Sequence, residues 1–420
     1  MKLSNTGFAT NKIQNLDALY PAQDMLLQTG QIVQYGSGIF AYNNVTLRLL
    51  ENIKTIIKDV LDEFGCVEVA LPTMQPQNIW VESGRLDGYM KSGAMLTIQT
   101  PKGNYSMAPT AEEAVTDFVR RRVHSYKSVP FTLYQIGEKF RNEIRPRGYL
   151  MRAKSFLMMD AYSFNADQKC LVKTYENLKQ AYLEIFRRLG MPVVAVGADG
   201  GDMGDGKSEE FVFVWNNGED TILYDERTGK GFNVELLQNP NHREHLAKEY
   251  GITDTSTLVE KRGTELGHIF QLGTKYSASM NALFVDTDGK QKPYEMGCYG
   301  IGVSRILATL YETNTVVGGV SLPPHLAPYI VHIIATDTKA KEAEKLYKEL
   351  TASGTPCIYD DRTHVSLGVK IKDVKILGTP YMVILGDKVG AGECEFEDTR
   401  TGEKKIIKQK EIVGFTSKTI

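Results

Sequence analysis

The chain has 420 residues, 42% hydrophobic and 24% charged, enough for two or three domains with buried cores. Its net charge of −2 lacks the basic excess common in nucleic-acid binders, although a local basic face fits inside a neutral total. No apolar run reaches the ~18 residues of a membrane span, residues 1–29 lack the apolar core of a secretory signal, and five scattered cysteines with no CxxC pair argue against disulfides or a cysteine zinc site and for a reducing cytosol.

Residues 47–64 carry Leu49, Leu50, Ile53, Ile57, Val60 and Leu61 at helical spacing and predict a long amphipathic helix closed by Gly65. Residues 67–71 predict a strand stopped by Pro72. Residues 111–124 predict a helix with Thr110 as N-cap and Glu112 and Glu113 in its first turn. Strands over 133–141 and 155–163 predict an antiparallel hairpin whose long tip is dense in arginine. A second amphipathic helix follows over 171–189, then a Gly/Asp loop over 197–207, short strands over 211–215 and 221–224, and a polar surface excursion over 239–261. Residues 295–296 end a strand, and Gly297 to Gly302 lead into a helix over 304–313. Beyond a Gly- and Pro-rich linker at 318–328, strands at 329–334, 356–359 and 381–385 alternate with helices at 339–353 and 369–377, the pattern of a small α/β domain.

Four stretches carry chemistry. Arg141, Arg145, Arg147 and Arg152 crowd the hairpin tip, and guanidinium groups suit fork-like bonds to phosphate oxygens; the same cluster also reads as a solvated basic loop. Gly297, Gly300 and Gly302 before Arg305 admit close approach of a backbone or a flat ligand, or serve strand–helix packing. Thr110, Glu112 and Glu113 offer a hydroxyl and two carboxylates to a cationic amine, or simply begin a helix. His268, in the stretch 265–277, reads by default as a core histidine and alternatively as a substrate contact or metal ligand.

Together these stretches resemble the bacterial prolyl-tRNA synthetases, a family of class II aminoacyl-tRNA synthetases, and the similarity runs over about residues 20–413. The helix at 47–64 with its following strand is similar to class II motif 1, 140–164 to motif 2 and 297–305 to motif 3. Gln75-Pro76, Ile79-Trp80 and Glu82-Ser83-Gly84-Arg85 match a further family segment, as do Ala108 to Glu113 and Glu265 to Ser277.

The resemblance implies an α/β (α+β) fold: an antiparallel sheet flanked by helices over residues 1–318, with a short insertion at 232–262, and an α/β anticodon-binding domain over 326–420. It implies ATP and Mg²⁺ as cofactors, with no protein side chain assigned to the metal. Arg141 is implied to hold the α-phosphate, Glu143 the adenine side, and Arg152 and Arg305 the outer phosphates, with Phe156 and Arg305 sandwiching adenine and Gln271 also at the nucleotide. Arg141, Glu143 and Arg305 are the implied catalytic set. Thr110, Glu112, His268 and Cys298 are implied to surround proline; Asp361, Arg362 and Lys370 to meet the anticodon. The implied partners are a second copy of the chain, L-proline, tRNA(Pro) and a free-standing deacylase, because the short insertion leaves no room for an editing domain and a missing methylene discriminates by only about 1–3 kcal/mol. The implied location is the cytoplasm.

The chain departs from the family at several points: Gly148-Tyr149, Lys154-Ser155 and Met159 in motif 2, Glu209 in place of a histidine, Asn43-Asn44-Val45 in an early turn, and Val365-Ser366-Leu367 in the C-terminal domain. Two other readings therefore stand beside the synthetase: a paralogue that activates another amino acid or charges another acceptor, and a non-catalytic binding module.

Overall fold

The computed structural model describes residues 1–8, 13–200, 207–237 and 242–416. Contacts divide the chain into two compact units, one of residues 54–145 and 153–305, the other of residues 1–53, 146–152 and 306–420. Early residues and the tip of the arginine-rich hairpin group with the C-terminal part.

Helix α1 (Asn44–Glu63) begins three residues before the predicted start. Asn43 explains this, since its Oδ1 accepts from the backbone amides of Val45 (3.0 Å) and Thr46 (3.1 Å), the work of an N-cap. The larger unit is built on a nine-stranded sheet. In chain order its strands and helices are β1 (Val67–Glu68), α2 (Glu112–Arg120), β2 (Phe131–Phe140), β3 (Ser155–Asn165), α3 (Gln168–Arg188), β4 (Val193–Gly197), β5 (Ser208–Val214), β6 (Asp220–Asp225), β7 (Gly231–Asn233), α4 (His242–Glu249), β8 (Leu258–Gly273) and β9 (Glu295–Ile301), after which α5 (Val303–Thr313) begins. The sheet order is β5-β4-β7-β6-β8-β9-β3-β2-β1, and β5 also pairs with β8, so β4 to β8 close into a five-strand ring.

The predicted hairpin is present as β2 and β3, antiparallel from Phe131↔Phe164 to Phe140↔Ser155. Helix α3 opens on Asp167, whose side chain accepts from the Cys170 amide at 2.7 Å. Two local expectations change. Gly297 to Ile301 lie within β9 rather than in a loop, because both edges of that segment are paired: Cys298 faces Phe270 on β8 and Tyr162 on β3. Residues 258–261, expected at the surface, begin the sixteen-residue strand β8. Of the predicted Gly/Asp loop, 201–206 lie outside the described residues.

The C-terminal part holds β10 (Val331–Ala335), α6 (Ala340–Ala352), β11 (Cys357–Tyr359), α7 (Leu367–Leu377), β12 (Tyr381–Leu385), β13 (Glu393–Asp398) and β14 (Glu403–Lys408). Its sheet order is β11-β10-β12-β13-β14, with β10 parallel to β11 and β12 and the last two strands antiparallel. Strands β13 and β14 escaped the sequence reading, since alternating acids (Glu393, Glu395, Glu397) mask the half-buried pattern of β13, and β14 is charged and almost wholly exposed. No described helix is long and apolar enough to cross a membrane.

Candidate active site

The Thr-x-Glu stretch enters α2 without the predicted cap: Ala111 holds the N-cap position, and the Thr110 hydroxyl donates to the Glu112 carboxylate at 2.5 Å. Glu112 and Glu113 are completely buried. Burial of two adjacent carboxylates needs a cation, and Arg85 supplies it. One guanidinium nitrogen lies 3.3 Å from Glu112 and 3.1 Å from Glu113, and another donates to the Tyr89 hydroxyl at 2.8 Å. The guanidinium carbon also stands 4.9–5.4 Å from the ring centroids of Trp80, Tyr89 and Tyr276, the geometry of cation–π attraction. Ser83 donates to Glu113 at 2.8 Å. The Cys298 thiol donates to Glu112 at 3.1 Å; burial, with Glu112 beside it, pushes that thiol well above its ordinary range and keeps it protonated. Burial also raises Glu113 to about 7, with Glu112 adding to the rise and Arg85 opposing it.

A buried strut fixes this loop to the sheet. The Ala111 amide donates to the Tyr162 hydroxyl (3.0 Å), which donates to Asp160 (2.9 Å). Asp160 also accepts from Gln135 (2.9 Å) and pairs with buried Lys139 at 2.6 Å. Lys139 lies on β2 opposite Phe156, three residues along β3 from Met159.

Arg141 leaves the end of β2, with its guanidinium carbon 5.4 Å from the Phe156 ring centroid and its Nε donating to the Pro109 carbonyl at 3.3 Å. It therefore touches the Thr-x-Glu loop and the motif 2 aromatic together. Next to Phe156, the Leu157 amide donates to Ser304 Oγ at 2.9 Å, which ties the start of α5, and Arg305 with it, to the same strand. Glu143 lies in the loop after Arg141, its amide donating to the Arg141 carbonyl at 2.7 Å. Arg152 is exposed and belongs to the other unit, so it is not grouped with these residues. Gln271 on β8 accepts from Gln168 at 3.0 Å. Gly297 serves packing: a Cβ there would lie 2.4 Å from the Tyr299 hydroxyl and 2.9 Å from Ser163 Oγ.

His268 is not the solitary core residue of the default reading. Its Nε2 lies 2.5 Å from Ser208 Oγ, and its Nδ1 lies 3.2 Å from Glu265 and 3.7 Å from Glu210. Glu265 also accepts from Arg305 at 3.1 Å, while the Glu265 backbone carbonyl takes a second bond from Arg305 at 2.8 Å. Burial would raise the Glu265 carboxyl, but His268 and Arg305 hold it down at about 2. Burial and the charge of Glu265 push Glu210 up to about 8. Glu209, the residue at the family's histidine, is neutralised by Lys179 (2.7 Å) and Lys207 (3.2 Å) and accepts from the Tyr175 hydroxyl (2.9 Å), so the departure has a local compensation.

In the C-terminal domain, Arg362 bonds to Asp360 and to Asp373, each at 2.6 Å. Asp361 accepts from the Ser4 hydroxyl at 2.7 Å. Lys370 corrects the expectation of direct anticodon contact: it is 2% exposed, and its ammonium is spent on the Ala335 carbonyl (3.0 Å) and the Asp360 carbonyl (3.4 Å) beneath the loop. Sequence reasoning assigned no role to Arg85, Asp160, Lys139, Glu210 or Ser208, although Arg85, at the end of the Glu-Ser-Gly-Arg segment, and Ser208 and Glu210, beside Glu209 in a family loop, carried a visible signal.

A catalytic sheet with arginines at motif 2 and motif 3, followed by a separate α/β domain, defines a class II aminoacyl-tRNA synthetase. Residues 96–314 match the tRNA synthetase class II core domain (G, H, P, S and T), and residues 329–419 match the anticodon binding domain. The chain is 39% identical over 405 residues to a proline–tRNA ligase of Rickettsia bellii, covering 93% of each. It is 37% identical over 421 residues to that of Sulfurimonas denitrificans, covering 96% of each. The chain belongs to the proline–tRNA ligase family. Its fold is similar to that of a prolyl-tRNA synthetase from Cryptosporidium parvum crystallised with halofuginone and AMPPNP, with a TM-score of 0.73 at 16% identity over 94% of this chain and 76% of that one.

Proposed function

We propose that the protein activates L-proline with ATP to prolyl-adenylate and transfers the prolyl group to tRNA(Pro). The observation that supports this most directly is the placement of Arg141 against Phe156 and Pro109, with Arg305 carried on the helix bonded to Leu157. In the first step the proline carboxylate attacks the α-phosphorus and pyrophosphate leaves. In the second a ribose hydroxyl of the tRNA attacks the adenylate carbonyl and AMP leaves. Neither step needs a protein nucleophile; positioning and charge stabilisation serve both. Arg141 holds the α-phosphate. Glu143, Phe156 and Gln271 take the adenosine, and Arg305 the outer phosphates. Thr110 and Glu112 hold the proline nitrogen, with His268 and Cys298 lining the pocket. Arg141, Glu143 and Arg305 form the catalytic set.

Mg²⁺ fits the donors available. Among the described residues, Glu210, Glu265 and His268 are the three-residue group whose ligand atoms lie close enough to share a cation, and Mg²⁺ typically takes one or two carboxylates beside nucleotide phosphates. Glu265 would hold it, and the ion would neutralise phosphate charge. The exposed apolar side chains of Val33, Tyr35 and Ile39 support a homodimer. The loop around Asp361 and Arg362 is the proposed anticodon-facing segment, with Lys370 supporting it from below. Helix α4, of eight residues, is the one α-helix among the described residues of the short insertion and supports reliance on a separate deacylase. Five free cysteines support a reducing, cytoplasmic setting.

The test is ATP–pyrophosphate exchange with each of the twenty amino acids, followed by charging of tRNA bearing a proline anticodon. L-proline is expected to drive exchange and to appear on that tRNA. Exchange with another amino acid and none with proline refutes the assignment.

A further inference from the structure

The buried group at the start of α2 has an uneven charge count. Two carboxylates, Glu112 and Glu113, share one guanidinium, Arg85, through a single nitrogen within 3.4 Å of oxygens from both. With both ionised, the group carries one net negative charge at complete burial, a costly state without a further cation. Apart from the cations Arg141 and Lys275, which approach Tyr89 and Tyr276, the neighbours that face it are neutral or already paired. Ser83 is a hydroxyl donor to Glu113. The phenols of Tyr89 and Tyr276 and the Cys298 thiol are all raised by burial and stay protonated. Asp160, reached through Tyr162, is matched by Lys139. Arg141 acts on Tyr89 from the motif 2 loop. Two ions neutralise such a group: a proton on one carboxylate, or a cation brought by the substrate.

We propose that Glu113 carries a proton that L-proline displaces on binding, so that the Arg85–Glu112–Glu113 group is neutral both before substrate arrives and after. This rests on the proline reading of the site. Glu113 is a positioning residue: it reaches the substrate only through the guanidinium it shares with Glu112. Protonated, it throws the whole Arg85 charge onto Glu112 and weakens that carboxylate as a partner for the secondary ammonium. When the ammonium arrives beside Glu112, Arg85 is released towards Glu113, and the proton leaves Glu113 for solvent. The substrate nitrogen keeps both its protons throughout, since its pKa lies far above neutrality. The rise of Glu113 to about 7 agrees with this exchange.

The experiment is calorimetric titration of the full-length protein with L-proline in buffers of different ionisation heat, at pH 6 and pH 8. The wild type is expected to release about one proton per proline at pH 6 and almost none at pH 8. Glu113→Gln is expected to release none at either pH and to raise the KM for proline while the KM for ATP stays put; Glu113→Asp restores part of the release. Proton release equal at both pH values, or undiminished in Glu113→Gln, overturns the proposal, and the wild-type comparison alone decides it if the variant does not fold. Absence of any proline binding strikes instead at the proline reading itself.

Discussion

Arg85 is held by two carboxylates and three aromatic faces, and this double grip makes it the residue on which the pocket stands. Arg85→Met keeps the volume but leaves two buried carboxylates unpaired, so it is expected to cost about 3–5 kcal/mol in urea unfolding. A loss under 1 kcal/mol contradicts the charge account. The sequence displayed Arg85 as the end of a motif but not its task, because its partners come from a different segment. Asp160 and Lys139 were less legible still: each looks like an ordinary polar residue on an amphipathic strand, and only the β2–β3 pairing makes them a buried couple. Lys370 misled in the opposite sense, since a lysine on a short helix reads as solvated until the fold closes over it.

At the scale of elements, periodicity located the long helices and the central hairpin, and it failed where both edges of a strand are covered. β9 is such a case, since its glycines imitate a loop while Tyr299 and Ser163 occupy the space a side chain at Gly297 would need. Gly297→Ala is expected to overpack this contact and cost about 1–3 kcal/mol of stability, measured by thermal or urea unfolding. Helix α3 offers a contrasting control. Asp167→Ala removes its cap and is expected to cost about 1 kcal/mol while leaving pyrophosphate exchange intact. Loss of exchange would mean that α3 does more than support the sheet.

The whole molecule divides into two units, one of which gathers residues from both ends of the chain together with the hairpin tip. Its response to pH has an internal reporter in the C-terminal domain. His332 is buried on β10 with neither ring nitrogen hydrogen-bonded, and burial depresses it to about 3, with Asp360 opposing and Arg362 and Lys370 reinforcing the shift. The unfolded chain binds a proton there below its ordinary value of 6.5 while the folded chain does not. Stability is therefore full above 6.5 and falls as the pH drops towards 3, by about 1.4 kcal/mol per unit. Urea unfolding of this domain's signal at pH 7 and pH 5 is expected to show the loss, and His332→Leu to flatten it; an equal slope in the variant contradicts the assignment.

The central claim is that guanidinium groups from motif 2 and motif 3 serve one nucleotide. It is tested most directly by proline-dependent pyrophosphate exchange in Arg141→Ala and Arg305→Ala. Each is expected to lower kcat by about 10²–10³, with the proline KM little changed. Wild-type exchange in either variant, at the same ATP dependence, contradicts the account.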